Sequence, residues 1–169
     1  MCLKEITIGG FRNLKKTTIS FEKPITALIA PNNYGKSNLL DGIEFFDKII
    51  HASKENRKIL LHTAHAIPIN KYIDNANFFC EVTFDVSLNK KNYTIKYSIE
   101  LQWPKTKSKE SGKIINETFS YKEIKQNSKF KVFLRRNNSQ LLYISSEQGR
   151  CDTASNVDSY ELGLEKLLN

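Results

Sequence analysis

The chain has 169 residues, of which 40% are hydrophobic and 26% charged, the balance of a globular domain rather than of a disordered or fibrous protein. No stretch approaches the roughly 20 consecutive apolar residues that cross a bilayer, and charged residues near the N-terminus argue against a signal peptide, so we expect a cytoplasmic protein without membrane contact. The net charge of +8 favours polyanionic partners such as nucleotides or nucleic acid.

The first third of the chain predicts two short strands, then a buried strand, a loop and a helix. Residues 3–8 alternate apolar and polar side chains and stop at Gly9-Gly10, which predicts an edge strand and a turn. A second short strand is predicted over residues 17–21. Residues 25–29 are apolar at nearly every position, which is typical of a strand covered on both faces, so we expect this strand to lie in the centre of the sheet.

A helix is predicted over Lys36–His51, where apolar residues recur at helical spacing with Asp41, Glu44 and Lys48 between them. We expect its apolar stripe to pack on the sheet. The stripe consists of Leu39, Leu40, Ile43, Phe46 and Ile50.

The rest of the chain changes character and predicts an antiparallel meander of short alternating strands. We expect a single domain with four consecutive parts. These are the strands, loop and first helix (1–52), an irregular connector with a helix near 59–65 (53–76), the meander (77–145), and a polar tail that closes with a helix (146–169).

One motif carries a specific chemistry. Residues 30–37 match the phosphate-binding loop G-x-x-x-x-G-K-[ST], with Ala30 in place of the first glycine. Backbone N–H groups of such a loop and of the following helix N-terminus converge on phosphates. Gly35 allows close approach, Lys36 supplies an ammonium to the β and γ phosphates, and the Ser37 hydroxyl can bind Mg²⁺. Because alanine is the smallest residue that can replace glycine, we expect the loop to bind nucleotide with Ala30 at this position.

Around this loop the sequence resembles the opening of the ABC-type ATPases grouped around the structural-maintenance-of-chromosomes proteins, the RecF recombination proteins and the OLD nucleases. The resemblance rests on a first strand, an F-[RK]-N motif, a second strand and the loop. The matching residues are Phe11-Arg12-Asn13 and Pro31-Asn32-Asn33-Tyr34-Gly35-Lys36-Ser37-Asn38-Leu39-Leu40-Asp41. It implies an α/β fold, a P-loop NTPase lobe with a central strand–loop–helix unit and a mostly antiparallel β-meander.

The resemblance also implies roles for single residues toward ATP and Mg²⁺. Lys36 would hold the β and γ phosphates, Ser37 the metal, and Asn38 the α-phosphate side. The remaining candidates are Asn32 for the loop conformation or the γ-phosphate, Asn33 and Tyr34 within the loop, and Arg12 with Asn13 beside the nucleotide. The alternative for Arg12 is a solvated turn arginine. A magnesium-sensing glutamine of the family has Gln140 and Gln148 as its candidates here.

In that family ATP lies between two heads, and each head has two lobes. The second lobe carries an L-S-G-G-like signature and an apolar strand that ends in Asp-Glu, and this sequence contains neither. We therefore expect a first lobe alone, either a fragment of a longer chain or half of a split protein, that binds ATP without appreciable hydrolysis. Implied partners are a C-terminal ATPase lobe or a second head, a homodimer when complete, and DNA through the full assembly, in DNA processing, genome maintenance or antiviral defence.

Other readings stay open at this point. A different class of function is a non-hydrolytic nucleotide-sensing module that controls a partner protein. A small nucleotide kinase or GTPase is disfavoured, because a meander follows the loop and no N-K-x-D guanine signature is present. His62 and His65 could share a metal or form a partly buried pair, and Trp103 could stack on bases or belong to a hydrophobic strand face.

Overall fold

The computed structural model describes residues 1–22, 26–29, 31, 35–62, 77–103, 111–125, 127–144 and 151–168. Its elements, in chain order, are β1 (Cys2–Phe11), β2 (Leu14–Ser20), α1 (Lys36–His51), α2 (Lys54–His62), β3 (Phe78–Leu88), β4 (Lys91–Gln102), β5 (Lys113–Glu123), β6 (Lys131–Asn137), β7 (Gln140–Ile144), β8 (Cys151–Asn156) and α3 (Gly163–Leu168).

All these strands form one eight-stranded sheet in the order β2-β1-β3-β4-β5-β6-β7-β8, and every neighbouring pair is antiparallel. The predicted meander is therefore confirmed, and the fold is mixed α/β. None of the helices in the described part of the chain has the length and apolar character needed to span a bilayer.

The strands are amphipathic, and the helices cover one face of the sheet. In β1, Ile6 and Ile8 point into the core, and the Thr7 hydroxyl pairs with that of Thr18 on the other face at 2.9 Å. Alternation of this kind is what a sheet with one covered face requires. The main core cluster contains side chains from β1, β3 and β4, from α1 and α2, and from the C-terminal segment.

Strand β1 corrects the expectation of an edge strand that ends at Gly9-Gly10. It runs through both glycines to Phe11 and lies between β2 and β3. The glycines serve close packing here, since a Cβ on Gly9 would lie 2.8 Å from the Lys15 carbonyl oxygen and a Cβ on Gly10 would collide with the Asn77 carbonyl. Glycines that predict a turn from the sequence can instead lie inside a strand, at a point where another part of the backbone approaches closely.

The prediction of a central strand over residues 25–29 is wrong for the residues that can be described. Residues 26–29 belong to no strand, and Leu28 and Ile29 are 37% and 93% exposed. The sheet is complete without this segment, because the eight described strands all pair with one another and residues 26–29 take part in none of these pairings.

Helix α1 begins and ends at the predicted residues, but its buried face differs from the predicted one. Its buried residues are Leu39, Gly42, Phe45 and Ile49. Leu40, expected in the core, is 57% exposed. A Cβ on Gly42 would lie 3.4 Å from the Ile8 side chain, so this residue gives α1 a close approach to β1 and turns Phe45 toward the sheet. Ile43, Phe46 and Ile50 are partly buried beside that contact.

The C-terminal segment is fixed by Arg57, a fully buried residue of α2. Its Nε donates to the Ile49 carbonyl at 2.8 Å and its Nη2 to the Ala52 carbonyl at 2.5 Å, both at the C-terminal end of α1. Its Nη1 donates to the Tyr160 carbonyl at 2.7 Å and to Glu165 at 2.9 Å. One guanidinium therefore joins α1, α2 and the segment before α3, and its five donors explain why arginine suits the place.

A second pair of buried charges lies on the inner face of the sheet, where Glu117 of β5 is opposite Arg136 of β6. Glu117 accepts hydrogen bonds from the Tyr97 hydroxyl at 3.0 Å and from the backbone N–H groups of Gly163 at 2.6 Å and Leu164 at 3.2 Å, so it caps α3. Burial raises the pKa of the Glu117 carboxyl, and these donors oppose the rise. Arg136 donates to the carbonyls of Asn138, Glu161 and Asp158.

These contacts also correct the expected boundary at residue 146. Strand β8 lies within the predicted tail and pairs with β7, and the segment that follows β8 packs into the core through Leu162. The tail is therefore part of the sheet and core rather than an appendage.

Arg57→Ala is expected to lower the free energy of unfolding by about 3 kcal/mol, because it strands the Glu165 carboxylate and several buried carbonyl groups. Urea unfolding of the 169-residue chain measures this. Glu55→Ala, an exposed position on the same helix, is the matched control and should change stability by less than about 0.5 kcal/mol. Equal losses in the two variants would contradict the bridging role of Arg57.

Candidate nucleotide-binding site

The N-terminus of α1 has the features of an anion-binding helix start. Gly35 precedes the helix in the left-handed conformation (φ 93°), the described residues provide no side-chain cap, and the first turn contains no acidic residue. The Gly35 carbonyl accepts the first helical hydrogen bond, from Leu39 N–H at 2.9 Å. First-turn N–H groups without a side-chain cap, at the positive end of the helix dipole, are the donor set that phosphate oxygens bind.

Gly35 also lets the turn between β1 and β2 come close to the helix. A Cβ at this position would lie 3.1 Å from the Asn13 amide oxygen and 3.3 Å from Leu14 Cδ2. The glycine is therefore required both by its backbone conformation and by the space available. Its close approach to a phosphate stays a prediction.

Lys36 and Ser37 occupy the first turn of α1. The Lys36 ammonium donates to the Pro31 carbonyl at 3.1 Å. Ser37 is exposed to solvent. Three further candidates from the motif, Asn32, Asn33 and Tyr34, lie outside the described residues.

Side-chain hydrogen bonds tie the β1–β2 turn to α1. Arg12 has a positive φ of 48°, and its Nη1 donates to Asn38 Oδ1 at 2.9 Å and to the Asp41 carboxylate. The Asn38 amide nitrogen in turn donates to Asn13 Oδ1 at 2.7 Å. The structure thus brings Arg12, Asn13 and Asn38 together at the start of α1. Their contact with a nucleotide stays a prediction.

Asp41 belongs to this cluster, although the sequence placed it only in the matching motif and on the polar side of the helix and gave it no role. The signal that could have found it is the helical spacing, because a residue three positions after Asn38 lies on the same side of α1. An acidic side chain on that side is a natural partner for a basic residue in the neighbouring turn.

Several other candidates lie elsewhere. Gln140 begins β7, which is five strands away from β1 in the sheet, or about 24 Å along it; Gln148 lies outside the described residues. His62 Nδ1 is 2.7 Å from the Ser111 hydroxyl, and His65 is not described. The described residues contain no cluster of three metal-ligating side chains. Trp103 is a core residue whose Nε1 donates to the Leu61 carbonyl at 3.1 Å.

Comparison with known proteins identifies the family. Residues 1–167 match the family described as AAA ATPase domain. The chain belongs to this family.

Relatives of this AAA ATPase domain include chromosome-maintenance proteins. The chromosome partition protein Smc of Methanococcus voltae is 30% identical over 128 residues, which are 66% of this chain and 11% of that protein. The Smc of Halothermothrix orenii is 48% identical over 46 residues, 27% of this chain and 4% of that protein. The DNA replication and repair protein RecF of a Cyanothece species is 37% identical over 62 residues, 36% of this chain and 16% of that protein.

These findings confirm the resemblance to the first lobe of ABC-type ATPases of the structural-maintenance-of-chromosomes and RecF group. The chain spans only a small part of the length of these relatives.

Gly35→Ala is expected to lower the free energy of unfolding by about 1 to 2 kcal/mol, because alanine disfavours the left-handed conformation and its methyl group would press on Asn13. Gly42→Ala, in the same helix, is the control. Its Cβ meets neighbours at 3.4 to 3.5 Å, so it should be neutral or up to about 1 kcal/mol stabilising. Chemical denaturation of both variants tests this, and a harmless Gly35→Ala would argue against the left-handed turn.

Proposed function

We propose that this chain is the ATP-binding first lobe of an ABC-type ATPase. The observation that carries the proposal is the N-terminus of α1, which begins behind a left-handed Gly35 with Lys36 and Ser37 in its first turn and Arg12 held alongside. Membership of the AAA ATPase domain family supports the same function.

The residues present fit Mg²⁺-bound ATP. The first-turn N–H groups of α1 supply neutral donors to phosphate oxygens, and Lys36 exchanges its hydrogen bond to the Pro31 carbonyl for the β and γ phosphates. Ser37 is the residue that would hold Mg²⁺, through its hydroxyl oxygen. When bound there, Mg²⁺ would neutralise part of the negative charge of the phosphates.

The remaining residues of the motif complete the site in this proposal. Asn38 lies on the α-phosphate side, and Arg12 with Asn13 lies against the nucleotide. The motif assigns Asn32, Asn33 and Tyr34 to the loop around the phosphates, with Asn32 for the loop conformation or the γ-phosphate.

The names of the relatives suggest the wider function. Smc is described as a chromosome partition protein and RecF as a DNA replication and repair protein. We propose by analogy that the chain acts in DNA processing or genome maintenance in the cytoplasm, as part of an assembly with DNA, a second ATPase lobe and a second head in a homodimer. An OLD-like role in antiviral defence is the narrower form of this proposal and rests on the loop sequence alone.

Lys36→Ala is expected to abolish measurable ATP binding, because it removes the positive charge opposite the β and γ phosphates. Titration of a fluorescent ATP analogue with Mg²⁺ measures the affinity. Lys48→Ala is the control, since Lys48 lies on the same helix but pairs with Glu44 at 2.6 Å, and it should bind ATP like the unmodified chain.

The melting temperature of Lys36→Ala should stay within about 3 °C of that of the unmodified chain, because a partly exposed lysine contributes little to stability. ATP affinity that is the same in both lysine variants would remove the assignment of the phosphate-binding loop.

Residues 1–169 are expected to show no ATP turnover above background, because no Asp-Glu-terminated apolar strand and no Ser-Gly-Gly signature is present to orient water and stabilise the transferred phosphoryl group. Phosphate release assayed with and without Lys36→Ala checks this. Lysine-dependent turnover would mean that an acid of this chain serves in hydrolysis, and Glu81 and Asp85 would be the first to replace. Binding without turnover in the complete assembly as well would favour the nucleotide-sensing module instead.

A further inference from the structure

The hydrogen bonds that hold the Arg12 side chain to α1 use only one of its guanidinium nitrogens. Nη1 donates both to Asn38 Oδ1 at 2.9 Å and to the Asp41 carboxylate, which commits its two hydrogens. Within the described residues, Nε and Nη2 form no hydrogen bond. The arginine side chain is 51% exposed, so this second edge of the guanidinium is open to solvent beside the start of α1.

Two further contacts make the arrangement specific. The guanidinium carbon lies 5.2 Å from the centre of the buried Phe11 ring, which supports the group from another side. Asn38 is itself oriented, because its amide nitrogen donates to Asn13 Oδ1 at 2.7 Å and its oxygen is thereby turned toward Arg12. The arginine is held by an aromatic ring, an oriented amide and a carboxylate.

The free edge of Arg12 matches the chemistry of a phosphate. Nε and one Nη of a guanidinium form a fork that donates two parallel hydrogen bonds to two phosphate oxygens. A long, exposed side chain would lose rotamer entropy on binding such a group, and a side chain already tethered has lost part of it beforehand.

We propose that Asp41, assisted by Asn38, is a positioning residue that presents the free Nε–Nη2 edge of Arg12 to a phosphate of the bound nucleotide. The inference rests on the proposed ATP-binding function. Asp41 lies in the second turn of α1, behind the uncapped first turn, so its carboxylate acts on the nucleotide through Arg12.

Because Asp41 is charged, a repulsive role and a positioning role predict opposite changes in ATP affinity when the charge is removed. Asp41 is negative and close to the proposed phosphate site, so a purely repulsive role predicts that Asp41→Asn tightens ATP binding. A positioning role predicts the opposite, because an amide holds the guanidinium less firmly than a carboxylate does.

The test is a double-mutant cycle on the 169-residue chain, with the dissociation constant for Mg²⁺-ATP measured by titration. We expect Arg12→Ala and Asp41→Asn each to weaken binding about five- to tenfold, and the double variant to bind about as weakly as Arg12→Ala alone. Asp47→Asn is the control, because Asp47 lies on the same helix and pairs with His51 at 3.1 Å, and it should leave the affinity unchanged. Asp41→Glu, which keeps the carboxylate, should retain most of the affinity.

Tighter or unchanged binding in Asp41→Asn would overturn the positioning role, and so would independent losses that multiply in the double variant. Thermal melting separates these outcomes from unfolding, and if Asp41→Asn fails to fold, weak binding by a folded Asp41→Glu would overturn the inference instead. If the unmodified chain binds no ATP, the proposed function fails and this inference with it. If it binds ATP in a Lys36-dependent manner and the cycle shows no coupling, only the inference fails.

Discussion

The close packing of α1 on β1 is the contact on which the candidate site depends. Gly42 brings the helix within van der Waals reach of Ile8 and Phe11, and the ring of Phe45 fills the space between β1 and β3 with centroid distances of 6.1 Å to Phe11 and 5.1 Å to Phe78. Because β1 ends at Phe11, this packing leaves the β1–β2 turn beside the helix N-terminus. A side chain larger than alanine at residue 42 would push the helix away from the strand, and the hydrogen bonds between that turn and the helix would be lost first.

The other end of α1 is fixed by a different kind of interaction. Arg57 donates to the carbonyls of Ile49 and Ala52, which are backbone acceptors at the negative end of the helix dipole. The same guanidinium binds Tyr160 and Glu165, so the C-terminal segment and the helix of the candidate site share one buried donor. A buried charge of this kind is costly to desolvate and is tolerated because each of its donors finds an acceptor. The stability of the site helix is thereby linked to residues more than 100 positions later in the sequence.

Sequence reasoning predicted the parts of this structure that periodicity encodes. The bounds of α1 followed from its apolar spacing and the preceding Gly35, and the strands from β3 to β7 followed from alternation. It missed β8, because Cys151–Asn156 reads as a polar run without an apolar alternation. It also missed the buried charges. Arg57 lies in the polar stretch Lys54–His62, and from sequence alone a charged residue in such a stretch is expected to be exposed to solvent. The cluster around Arg12 was half predicted. The motif gave roles to Arg12, Asn13 and Asn38, and only the structure showed that Asp41 contacts Arg12.

The failed prediction over residues 25–29 has a consequence for the proposed assembly. Nearly continuous apolar composition reflects an environment in which both faces of a segment are covered, and such composition is costly to leave in water. Within the described chain, Leu28, Ile29 and Leu40 are exposed on either side of the phosphate-binding loop, whereas the sheet directs its apolar face toward the helices. The proposal of a second lobe accounts for these exposed side chains, since a lobe packed against the loop would cover them. The apolar composition near the loop would then reflect packing in the complete ATPase, whereas the alternating strands reflect packing within this chain.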